Sequence, residues 1–135
     1  MKKQRGVTLM ELLTVMAVIG VLSAIAYPTY MDQALRGRRA AAKAMLHEVL
    51  QHSERFYSQN NTYTLDMADL GYGGGPYYSE NETHEIALEA GPSGDIRTSV
   101  TITATPVTSD PKCGVLSLSS NMAKAASGTV PDICW

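Results

Sequence analysis

Between Leu12 and Met31 the chain carries no charged side chain, and this run of 20 residues constrains the fold more than any other feature. The stretch Leu-Leu-Thr-Val-Met-Ala-Val-Ile-Gly-Val-Leu-Ser-Ala-Ile-Ala-Tyr is almost wholly apolar. A helix rises about 1.5 Å per residue, so the run reaches roughly 30 Å, the thickness of a bilayer's hydrocarbon core. A soluble core helix could be equally apolar, but the rest of a 135-residue chain is too small to wrap it on every side. A secretory signal is the other competitor, since Lys2, Lys3 and Arg5 precede the run and Ser23-Ala24-Ile25-Ala26 resembles a cleavage site. Glu11 argues against it, because it puts an acid where a signal peptide turns apolar. The expectation is a membrane anchor over residues 7–30.

Basic residues alone do not orient that anchor. Lys2, Lys3 and Arg5 lie on one side, and Arg36, Arg38, Arg39 and Lys43 on the other, so a count of positive charge is ambiguous. The two cysteines, Cys113 and Cys134, break the tie. Their even number, wide spacing and lack of clustered histidines favour a disulfide over a metal site, with two separate buried thiols as the alternative. A disulfide implies an oxidising compartment, hence a C-terminal domain outside the cytoplasm and an N-terminus inside. Closing such a loop stabilises a fold by about 3 kcal/mol in the chain-entropy picture.

The opening residues, Met-Lys-Lys-Gln-Arg-Gly-Val-Thr-Leu-Met-Glu-Leu-Leu, resemble the class III signal of type IV prepilins: a short basic leader, a Gly, then a Thr-Leu-x-Glu-Leu run that opens an apolar helix. The resemblance implies that a prepilin peptidase cuts after Gly6, removes the leader 1–6 and methylates the new N-terminus at Val7. Glu11 becomes the fifth residue of the mature chain and the filament-assembly residue. Pro28 falls where the family has its helix-kinking proline, and Gly20 and Pro28 bracket the part of the helix that family filaments unwind. Val7 departs from the family's usual Phe. The physical logic is direct. An acid at membrane depth costs about 2.5–3.5 kcal/mol on insertion scales unless it finds a partner, and cleavage creates one in the Val7 amine, one helical turn away.

Beyond Pro28 the pattern becomes amphipathic: Leu35, Ala42, Leu46, Val49, Leu50, Ser53, Phe56 and Tyr57 mark one face. Arg36, Arg38, Arg39, Lys43, Glu48, Glu54 and Arg55 are read as lying mostly off it. One helix from Val7 to about Tyr57 is therefore expected, then a glycine-rich loop over 58–80 containing Gly71, Gly73, Gly74, Gly75 and Pro76. Strands are expected at His84–Leu88, Arg97–Pro106 and Cys113–Ser119; in the middle one Val100, Ile102 and Ala104 alternate with Thr101, Thr103 and Thr105. Together with the resemblance these elements imply an α+β fold class, the type IV pilin fold: a long N-terminal helix, an antiparallel sheet of about 3–4 strands and a disulfide-bounded C-terminal region. Residues 31–135 form the head, with sheet and disulfide region over 81–135.

No catalytic constellation emerges, so an enzyme is not expected, nor any cofactor or metal. His47 and His52 are five apart, not the four that stack two ligands on a helix face, and with His84 they read as surface histidines. Loss of residues 1–6 removes three of the 11 Lys and Arg and none of the 13 Asp and Glu, leaving a formal charge of −5. That balance works against phosphate contact, and nucleic acid is an unlikely partner on this reading. The resemblance implies a pilus subunit, a minor pilin of the PilE type, held in the bacterial inner membrane with its head periplasmic and then displayed in an extracellular pilus. Its partners are other pilin subunits, the assembly machinery and prepilin peptidase; its roles are adhesion, twitching motility or pilus biogenesis. The alternatives are a major pilin, a type II secretion pseudopilin and a DNA-uptake receptor pilin.

Overall fold

The structure, a computed structural model, describes residues 7–135. The expected leader, including Gly6, lies outside the described residues. The described chain divides into two units, one ending at Arg36 and the other spanning Gly37–Trp135, and one helix, α1 (Leu9–Asn60), contributes residues to both.

In the first unit the described chain is helix from Leu9 onward, with apolar residues on every side. Leu9, Leu12, Val15, Ile19, Leu22 and Ile25 are all exposed, as are Tyr27 and Tyr30. A helix apolar all round has no polar face to give to water, so it needs lipid or protein around it. By length and composition α1 is the one helix among the described residues that could cross a membrane. Pro28 sits inside it. Proline has no N–H to donate, so one bond of the helical ladder is missing there.

In the second unit α1 is one-sided. It buries Arg39, Ala42, Leu46, Val49, Leu50 and Ser53, three, four and seven residues apart. Ser53 donates its hydroxyl back to the Val49 carbonyl at 2.9 Å, which lets a polar residue stay in the buried face. Five strands follow: β1 (Tyr77–Tyr78), β2 (His84–Ala90), β3 (Val100–Pro106), β4 (Leu116–Ser119) and β5 (Lys124–Ala126). Each pairs antiparallel with the next, in the order β1-β2-β3-β4-β5. Ile86 and Leu88 stand opposite Ala104 and Ile102, which in turn face Leu116 and Leu118. These residues and the buried face of α1 make a single core with Tyr63, Met67 and Leu70 of the helix-to-sheet loop. Each large side chain so buried contributes about 1.5–3 kcal/mol.

Several expectations are corrected in detail. The sheet has five strands, not three or four; β1 and β5 hold two and three residues, too few for any period to show. The helix ends at Asn60 instead of Tyr57, closed by Asn61 in the left-handed region (φ 55°). Residues 97–99 belong to the turn that leads into β3, and Cys113 precedes β4. The loop is not structureless throughout, since β1 falls within it.

Candidate functional site

The helix start is built by two side chains. Thr8 stands just before Leu9, and its hydroxyl accepts from the Glu11 amide at 3.3 Å. The Glu11 carboxylate in turn accepts from the Thr8 amide and the Thr8 hydroxyl, both at 3.3 Å. This is a capping box, which satisfies N–H groups that the first helical turn leaves without partners. Sequence reading missed it, although Thr-x-x-Glu ahead of an apolar run is its signature. Glu11 is therefore the one acid of the first turn, and its oxygens are already oriented at the helix N-terminus, where the macrodipole favours negative charge. Val7, 70 % exposed, precedes the box directly. Gly20 lies mid-helix with nothing within 4 Å of where a Cβ would be. Near Pro28, the Thr29 hydroxyl donates to the Ile25 carbonyl at 3.1 Å.

At the other end of the chain, Cys113 and Cys134 are joined in a disulfide and both are fully buried. The segment around it continues the β4–β5 pairing irregularly: Ser127 donates to the Val115 carbonyl, Gly128 to Cys113 and Val130 to Lys112, at 2.8–3.0 Å. Gly128 is required by this approach, since a Cβ there would run into the Lys112 and Cys113 backbone. The C-terminal Trp135 donates its indole N–H to the Ala125 carbonyl at 2.8 Å, with the Lys124 ammonium 5.3 Å from its ring. It thereby ties the chain end to the outermost strand and sets His47 of α1 edge-on at 6.5 Å.

A buried ion pair connects α1 to this region. Arg39 makes two hydrogen bonds to Asp110, at 2.6 and 2.7 Å, and both residues are 5 % exposed. The guanidinium holds the Asp110 carboxyl below the usual carboxylate range, against the opposing effect of burial. Asp110 also accepts from the Cys113 amide at 3.4 Å, and its carbonyl from Gly114 at 2.7 Å. So Arg39 is not a solvated residue off the buried face, as its type suggested, but part of that face. His84 is likewise buried, not at the surface. Its Nε2 finds no partner, and burial lowers its pKa below 6.5, with Asp110 opposing and Arg38 and Arg39 reinforcing. The period of β2 holds the signal: His84 shares its parity with Ile86 and Leu88.

Among the described residues, no three His, Cys, Asp or Glu side chains are grouped so that they could hold a metal ion. The described residues hold an apolar helix that nothing among them covers, an acid in its first turn and a head with its own core.

Known proteins share both parts. Residues 1–27 match the family model for the prokaryotic N-terminal methylation motif, and residues 28–117, well over half of the chain, match that described as type IV minor pilin ComP, DNA uptake sequence receptor. The type IV major pilin protein PilA of Myxococcus xanthus is 33% identical over 52% of this chain and 32% of its own length. Fimbrial protein EcpB of Eikenella corrodens is 41% identical over 56% of this chain and 40% of its own length. The type IV major pilin protein PilE of Neisseria gonorrhoeae is 26% identical over 65% of this chain and 53% of its own length. The chain thus spans about a third to a half of the curated relatives it matches. In three dimensions it resembles a type IV pilin from Shewanella oneidensis, at 25% identity and a TM-score of 0.52, over 74% of this chain and 96% of that one. With a pilin model matched across helix and sheet and a methylation motif at the start, this chain belongs to the type IV pilin family.

Proposed function

We propose that the chain is a minor pilin. It is held in the inner membrane by the first half of α1 with its head periplasmic, cut after Gly6 by prepilin peptidase, methylated at Val7 and polymerised with other pilin subunits. Anchoring and assembly are supported by the helix of the first unit, apolar on every side and uncovered among the described residues, with a single acid in its first turn, and the minor role by the match of residues 28–117 to the model described as a type IV minor pilin. Cleavage would free a cation beside the capping box, able to meet its own Glu11 or that of a neighbour in low dielectric. Gly20 and Pro28 are the weak points of the rod, where a filament could unwind or bend. Adhesion, twitching motility or pilus biogenesis would then be served by the displayed head.

Two variants separate charge from capping. Glu11→Val removes both, while Glu11→Gln keeps an oxygen for the Thr8 N–H but no charge. Both are expected to be cleaved normally and to be missing from sheared filaments. Normal incorporation of the Gln variant would show that the charge is not needed.

A second reading, DNA capture, is favoured by the description of the family model over residues 28–117 and by Lys124 beside the Trp135 ring, a cation next to a stacking surface. The acidic balance of the chain opposes it. A gel shift of the full chain in detergent with duplex DNA tests this second reading, which would add to the first and not replace it. Binding that Lys124→Ala weakens supports the second reading, and no shift at low salt removes it.

A further inference from the structure

The helix-to-sheet loop closes over the end of α1 and leaves a cleft of about 330 Å³, lined by His52, Arg55, Phe56, Gln59, Asp69 and Leu70. The four helical residues are spaced three, four and seven apart from His52, one stripe of α1, and Asp69 and Leu70 face them from the loop. Two of these residues have polar groups that are held in place yet not used up. The His52 Nδ1 lies 3.2 Å from the Leu70 carbonyl, to which it can only donate, and this leaves the Nε2 edge of the ring free to meet a ligand. The ring is further fixed against Tyr72, centroid to centroid 5.1 Å. Asp69 accepts from the Thr64 hydroxyl through Oδ2 at 2.6 Å, leaving Oδ1 open. Arg55 and Gln59 contribute a donor fork and an amide that both donates and accepts. Half-buried Phe56 supplies an aromatic surface.

We propose that this cleft binds a neutral saccharide. A guanidinium and a carboxylate in one small cleft work against simple ions: a phosphate would meet Asp69 and an ammonium would meet Arg55. A pair of neighbouring hydroxyls can accept from Arg55 and donate to Asp69 at once, while the C–H face of a sugar ring lies on Phe56. The volume is at the low end of the roughly 300–1,000 Å³ typical of ligand sites, which suits a ligand of about one or two sugar rings. Nucleic acid is disfavoured at this place, since Glu48 and Glu54 flank the same part of α1, bonded to Tyr72 and Tyr63. The proposal deepens the adhesive role and rests on the head being displayed outside the cell. Sugar binding is nonetheless read on the purified chain without any filament, so failure of one leaves the other standing.

The test is saturation-transfer NMR on the full chain in detergent micelles, titrated separately with galactose, N-acetylglucosamine and lactose. Transfer to ring protons of at least one sugar is expected, weakened about tenfold in affinity by Arg55→Ala and by Asp69→Asn. Both residues are exposed, and thermal unfolding checks that the variants fold; if either does not, Gln59→Ala is read in its place. No transfer with any of the three sugars overturns the proposal, as does transfer that the variants leave unchanged.

Discussion

Leu22 and Leu46 sit in the same helix, yet Leu22 is 62% exposed and Leu46 is fully buried. The difference lies in what surrounds each. Around Leu22 every side of the helix is apolar and nothing among the described residues covers it, so this part of α1 needs lipid or other protein around it. Around Leu46 the apolar residues keep to one face, and the chain's own sheet covers them. One helix thus holds a stretch packed within the chain and a stretch whose apolar surface the described residues leave uncovered.

Substitutions in the two regions should differ in the size of their effects. The largest is at the ion pair: Arg39→Met leaves the buried Asp110 carboxylate uncompensated and should cost about 3–5 kcal/mol of head stability. The double variant with Asp110→Leu should recover much of that loss, because two apolar residues leave no buried charge. Thermal unfolding with calorimetry in detergent checks both, and additive losses would mean the pair is not coupled. Next, Leu46→Ala should cost about 2–5 kcal/mol, whereas Leu22→Ala should leave the unfolding of the head unchanged and show only in filament yield. Reducing the Cys113–Cys134 disulfide should lower stability by about 3 kcal/mol and loosen Trp135 from Ala125, visible as a shift in Trp fluorescence.

The smallest effect is on pH dependence. His84 has a folded pKa below its unfolded value, so as pH falls below about 6.5 the unfolded chain takes up the proton first and stability declines. The decline is complete once pH passes below the lowered folded value. Asp110 also has a depressed folded pKa, and its contribution is present above the ordinary carboxylate range and lost as pH falls through the folded value. His84→Gln should therefore flatten the melting temperature as pH falls from neutral through about 6.5, the unfolded histidine value, and leave the acid limb of Asp110 in place. An unchanged profile would mean that His84 does not titrate in the folding transition.

Much of this was legible in the residues because one period or one composition decided it. The uncharged run at Leu12–Met31, the stripe from Ala42 to Ser53 and the alternation of Val100, Ile102 and Ala104 each carry their own burial pattern. What was missed depends on partners far along the chain. Arg39 reads as solvated until Asp110, 71 residues away, is brought against it. β1 and β5 are strands only because β2 and β4 offer them an edge to pair with. The saccharide cleft joins a helical stripe to a loop, and no spacing announces which loop residues will close over the stripe. Thr8 and His84 are different cases, since the capping-box spacing and the parity of β2 were both present to be read.

On the function proposed above, proteolysis creates the positive terminus that pairs with Glu11. Intact-mass and N-terminal fragment spectrometry of the native protein from membranes tests it most directly. The account predicts a chain that begins at a methylated Val7, with Cys113 and Cys134 oxidised. A native chain that begins at Met1, or one cut near Tyr27 after loss of the apolar run, would contradict it.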